Sequence, residues 1–182
     1  MGQSAGSDSP TLGFMTVVHE ANGYVGGYLV ANAWGRPMEF RLSTAVQPNR
    51  IQQILYGQAL EPFIFADLIG KALVDRTSRQ VQLMFIDRLP LLDLRARFEI
   101  PVVYLEFGSD DSFPLGRGTP TRVQIPDDYS CKAFCHSGFP SDTHLVQDIM
   151  NRLRESIDLS EPFNRVRGAI AEARKMGATA RA

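Results

Sequence analysis

Asn22-Gly23 stands between two apolar runs, and no other short stretch constrains the fold as strongly. Both residues accept the positive φ angles that a two-residue hairpin turn demands. Phe14 to Glu20 (FMTVVHE) and Tyr24 to Ala31 (YVGGYLVA) are therefore predicted to pair as antiparallel strands. The first of them is apolar on both faces. After a turn at 32–37 (NAWGRP), Met38 to Thr44 alternates. Met38, Phe40, Leu42 and Thr44 share one side, and Glu39, Arg41 and Ser43 share the other. That is the pattern of a strand with one buried face. The chain opens as a three-stranded antiparallel meander.

The hydrophobic period then changes. Pro48 is placed to start a helix carrying Ile51, Ile54 and Leu55, which Gly57 ends. A second helix is predicted from Leu60 to Arg76, with Leu60, Ile64, Leu68 and Ala72 on a stripe widened by Phe65, Ile69 and Leu73. Gly70 inside it costs up to ~1 kcal/mol relative to Ala, which implies either a close neighbour or a broken helix. Gln80 to Ile86 and Pro101 to Glu106 read as strands, joined by a short helix at Leu89 to Phe98. This is the spacing of a βαβ unit. Residues 107–140 carry little periodicity beyond a short strand at Thr121 to Ile125, and are expected to form a long irregular loop. Residues 141–177 read as a helical hairpin. Leu145, Ile149, Leu153 and Ile157 line its first helix, and Phe163, Val166, Ile170 and Ala173 its second. The fold class is α+β (mixed α/β), one domain over 13–178, with tails at 1–12 and 179–182.

Composition sets the class of molecule. The 182 residues are 44% apolar and 21% charged, the balance of a globular protein of one-domain size. No apolar run is long enough to span a bilayer, and the polar start (MGQSAGSDSP) does not resemble a secretory signal. The expected location is cytoplasmic and the expected behaviour soluble. The formal charge is −1, which does not favour nucleic acid over the whole surface. Its distribution is uneven: residues 1–98 are net +1, residues 99–148 net −5 and residues 149–182 net +3.

The element order resembles that of the ribonuclease H-like superfamily over roughly residues 14–157. The resemblance implies a divalent-metal site built from carboxylates on the first strand, the first helix, the fourth strand and a late helix. Glu20, Asp87 and Asp142 are the positions carried over, with Glu61, Asp67 and Asp148 as alternatives on the helices. Such acids suit Mg²⁺, a hard cation that takes oxygen ligands. Glu20 departs from the superfamily's preferred Asp.

Other residues invite separate readings. Cys131, Cys135, His136 and His144 offer two thiols and two imidazoles, a ligand set that zinc accepts, and the two cysteines share a face if their segment is helical. Two buried small residues account for them equally. His19 is expected to be packed on the face it shares with Met15 and Val17. Gly26-Gly27 lacks a following helix and Lys, so it marks close backbone approach rather than a phosphate loop. Arg36, Arg41 and Arg50 near Trp34 resemble a single-strand binding patch, or a solvated edge. Three functional expectations follow. The leading one is a non-catalytic protein-interaction or scaffold module with a protein partner or self-association. The alternatives are a metal-dependent nuclease or phosphoryl-transfer enzyme (Mg²⁺) and a small zinc-binding protein.

Overall fold

The computed structural model describes residues 9–108, 120–153 and 157–179. A mixed seven-stranded sheet in the order β3-β2-β1-β4-β5-β7-β6 forms its middle layer. Strands β1 (Leu12–Glu20), β2 (Gly23–Ala31) and β3 (Pro37–Leu42) form the antiparallel meander. Strand β4 (Leu83–Ile86) then lies parallel to β1, and β5 (Val102–Glu106) lies parallel to β4. This is the mixed α/β fold expected from the sequence. The hairpin turns through Ala21 and Asn22, one residue earlier than expected: Glu20 pairs with Gly23, which opens β2 with φ +109°, and Asn22 does not take a positive φ. A side chain at Gly23 would also collide with the Val46 carbonyl.

β1 is central, which explains why both its faces are apolar. Leu12 and Phe14 face one core with Leu83, Phe85, Val166 and Ile170. Met15 and Val17 face the other with Met84, Ile86, Phe65 and Ile69. The first core lies under helices α4 (Asp142–Leu153) and α5 (Glu161–Thr179). The second lies under a helical run of α2 (Leu60–Pro62), a π segment (Phe63–Gly70) and α3 (Lys71–Asp75), together with a 3-10 helix (Leu89–Ala96). β2 is squeezed between both layers at Gly26-Gly27. A Cβ on Gly27 would meet Val166 Cγ1 at 2.5 Å, and one on Gly26 would collide with Ile69. The pair therefore serves close approach, as its sequence context suggested. Of the two alternatives for Gly70, close approach is the one found: a Cβ there would lie 2.8 Å from Leu94 Cδ1, while the residue itself stays helical between the π segment and α3.

Three elements differ from expectation. Residues 107–140 hold not one short strand but two, β6 (Thr121–Val123) and β7 (Lys132–Cys135), which close the sheet's far edge; residues 109–119 lie outside the described residues. Four-residue β7 is too short to announce itself by alternation. The helix α1 (Arg50–Tyr56) forms with an Asn49–Gln52 capping box, but buries nothing: Ile51, Ile54 and Leu55 are all exposed. β3 is an edge strand with Met38 and Phe40 exposed rather than buried. The expected tails fall largely on residues 1–8 and 180–182, outside the described residues.

Glu39 is the better-anchored side chain of β3. It accepts from Arg41, from the Ser78 N–H and hydroxyl, and from the Arg79 N–H. Desolvation pushes its pKa up, but these hydrogen bonds outweigh it and hold the carboxyl down at about 2. A depressed carboxyl contributes stability that is present above the unfolded pKa near 4.5 and is lost as pH falls towards 2. Glu39→Gln is expected to lower the melting temperature at pH 7 and to narrow its gap from wild type as pH falls through that window. Melting curves recorded from pH 7 to pH 2 check this; a constant gap contradicts it.

Candidate active site

The carboxyl ends of the parallel strands β1 and β4 bring together the most reactive groups of the molecule. In open α/β sheets, ligands bind outside such ends. Asp87 directly follows β4, on the face under α5. Its side chain is 3% exposed and ion-paired with Arg167 of α5. Its Oδ1 is buried beside the Thr16 hydroxyl. Desolvation raises the Asp87 pKa, against the opposing pull of the Thr16 hydroxyl and of the Arg167 and Arg88 guanidiniums. Glu20 ends β1 and is ion-paired with Arg174, one heptad beyond Arg167 on α5. Seven residues separate equivalent positions on one helix face, so one helix lays both guanidiniums along the strand ends. Arg88 is held by its Nε bond to the Val17 carbonyl at 3.1 Å.

The carboxylates carried over from the superfamily resemblance are not gathered into one cluster. β1 and β4 stay in register up to Met15 and Ile86, which sets Asp87 beside Thr16. Glu20 lies four residues further along, roughly 13 Å at strand rise. Asp142 is elsewhere. The 3-10 helix returns the chain to the opposite end of the sheet, where Arg95 Nε donates to Asp142 Oδ2 at 2.6 Å. Asp67 is engaged by Arg97 at 2.7 Å; Glu61 and Asp148 are exposed. A paired-Mg²⁺ cluster needs carboxylates that bridge ions about 3.5–4 Å apart. Glu20, Asp87 and Asp142 do not fit it, and among the described residues no group of three or more acids, histidines and cysteines could hold a metal.

The zinc set is likewise dispersed. Cys131 and Cys135 lie at and just before the strand β7, not on a helix, so four residues place them roughly 13 Å apart. Burial pushes their thiols up to about 11 and about 12, with Asp158 and Asp142 adding to the effect. His136 Nδ1 accepts from the Gly138 N–H at 3.0 Å, and His144 is exposed on α4. The cysteines are packed small residues. The arginines near Trp34 also separate: Trp34 and Arg36 precede β3, Arg41 pairs with Glu39, and Arg50 opens α1.

Sequence reasoning missed two things. One is the pair of arginines that α5, beyond the span of the resemblance, lays along the strand ends; the i, i+7 spacing of Arg167 and Arg174 was the available signal. The other is His19. It is exposed rather than packed, and its ring stacks on Tyr24 at 4.3 Å and 15°. The two residues face each other across the hairpin, at the mouth of a cleft of ≈ 270 Å³. Glu20 also lines the cleft, and Gln47, Gln53 and Leu60 form its far side.

No family model matches the chain, and no curated protein matches it. Among solved structures, it is similar to Ciona intestinalis endonuclease V in complex with a 23mer DNA containing an inosine followed by a ribo-adenosine. That match has a TM-score of 0.45 and 9% identity, over 92% of this chain and 88% of the other. It is also similar to endonuclease V from Bacillus subtilis, with a TM-score of 0.36 and 10% identity over 67% and 53% of the two chains. A third is Marinitoga piezophila Argonaute in complex with a 5′ OH guide RNA, with a TM-score of 0.34 and 9% identity over 79% and 26%. These neighbours are nucleic-acid proteins. Two of these structures hold a nucleic acid, which stands against the expectation of a non-catalytic protein-interaction module with a protein partner or self-association. No helix among the described residues is long and apolar enough to cross a membrane.

Proposed function

We propose that this protein acts on a nucleic-acid strand laid across the carboxyl ends of β1 and β4, and that its reaction is hydrolysis of a phosphodiester bond. One observation carries the reading. Asp87 is a buried carboxyl at the strand ends with one oxygen on Arg167 and the other beside the Thr16 hydroxyl, near Arg88. A carboxylate is most effective as a general base when its pKa is moved up towards the working pH, which is the direction burial drives Asp87. The carboxylate would take the proton of an attacking water as its oxygen bonds to phosphorus, the P–O bond to the leaving sugar oxygen breaks, and that oxygen takes a proton from bulk water. Arg167 and Arg174 are each about two-fifths exposed; Arg167 would neutralise the charge that builds on the phosphoryl oxygens at Asp87, and Arg174, by Glu20, would hold a phosphate further along the strand. Planar guanidiniums suit that task because they bind phosphate with two parallel N–H donors. Since the acids do not fit a paired-ion cluster, no step is assigned to a metal.

Labelled single- and double-stranded DNA and RNA oligonucleotides, incubated with the full chain in Mg²⁺ and in EDTA, test the proposal. Cleavage is expected in both, and Asp87→Asn is expected to reduce it by about 10²–10⁴-fold with little change in melting temperature. Failure to cleave any of these strands in either condition would overturn the reading.

A further inference from the structure

The cleft beside Glu20 has a shape and chemistry that cleavage alone does not require. Its near wall is a flat two-ring stack. Tyr24 is fixed from behind by Phe65, edge-on at 5.4 Å, and His19 lies over its other face. The outer face of the imidazole is open to solvent. Its two walls are tied together where the Tyr24 and Val46 backbones exchange hydrogen bonds at 2.8 Å in both directions, and in the far wall Gln53 Nε2 donates to the Pro48 carbonyl at 3.3 Å. The cleft is thus already open before anything binds. Its ≈ 270 Å³ lies just under the range of about 300–1,000 Å³ that drug-sized ligands occupy, which suits one small ring system. The Gln47 and Gln53 amides supply polar edges at the rim.

We propose that this cleft is a stacking subsite for a single unpaired nucleobase, which lies on the His19 ring with its polar edge towards the Gln47 and Gln53 amides. The subsite rests on the polynucleotide reading above and adds to it the state of the substrate: a base out of its stack. Stacking on an aromatic ring tolerates any base, because each has a π face. The subsite therefore selects unpaired over paired strands rather than one sequence over another.

The test follows the His19 ring C–H resonances of the full chain during titration with adenosine 5′-monophosphate, with a single-stranded oligo(dA) decamer and with ribose 5-phosphate. Saturable upfield shifts are expected with the first two and not with the third. His19→Ala should weaken both interactions by roughly 5- to 150-fold, and His19→Phe should restore them. A melting temperature close to wild type certifies each variant as folded, and the His19→Phe arm stands if the alanine variant is not. Equal shifts from ribose 5-phosphate, unchanged affinity in His19→Ala, or binding of the mononucleotide but not the strand would each overturn the subsite. The two readings fail separately. Base binding without cleavage removes the hydrolytic activity and leaves the subsite, whereas cleavage without a His19 response removes the subsite alone.

Discussion

Asp142→Ala is expected to destabilise the protein by about 3–5 kcal/mol. The side chain is 6% exposed and Arg95 is 14% exposed, so water does little to screen the pair. Two hydrogen bonds join them, at 2.6 and 3.2 Å, and a third Arg95 nitrogen donates to the Phe98 carbonyl at 3.0 Å. The guanidinium also lies 4.0 Å from the centre of the Phe139 ring. Removing the carboxylate leaves that cation buried without its counter-ion, which is where the cost arises. Urea unfolding should show a lower midpoint at an unchanged slope. The paired variant Arg95→Met with Asp142→Leu separates burial of an orphaned charge from loss of packing: it should recover most of the loss. If the single variant costs less than about 1 kcal/mol, the pair behaves as an exposed ion pair and the argument fails.

Phe163→Ala should cost about as much, roughly 3–5 kcal/mol, through the cavity it leaves. Phe163 is 1% exposed and packs edge-on against Phe14 at 5.7 Å and Phe107 at 6.0 Å. Its second consequence is functional. It seats the first turn of α5, the helix that carries Arg167 to Asp87 and Arg174 to Glu20. Phe163→Leu keeps most of the volume, and it should retain both stability and whatever activity Asp87→Asn removes. Melting curves paired with the cleavage assay measure the two effects. An alanine variant as stable as wild type would mean that α5 is not held here.

Local patterns in the sequence were informative where the physics is local. The Asn22-Gly23 turn signal, the two-sided apolarity of β1 and the shift to helical spacing after Pro48 all describe near neighbours, and the meander and the βαβ unit follow from them. Burial was legible less often. Ile51, Ile54 and Leu55 make a convincing apolar stripe, yet whether a stripe is covered depends on chain far away. The π segment was visible only as the misplaced Gly70. The candidate site was half legible: Glu20 and Asp87 do lie at strand ends on one face. Their separation depends on the register between β1 and β4, and the fate of Asp142 on which end of the sheet the crossover reaches. Neither is written in residue spacing.

Gly26 and Gly27 leave β2 with no clearance above or below. Adjacent residues of a strand point in opposite directions, so a methyl group added at one position lifts a different layer from a methyl group added at the next. At Gly27 it would push α5 and its two arginines away from Asp87 and Glu20. At Gly26 it would push the opposite helix instead and spare those contacts. Two neighbouring codons thus act as independent levers on the two halves of the molecule.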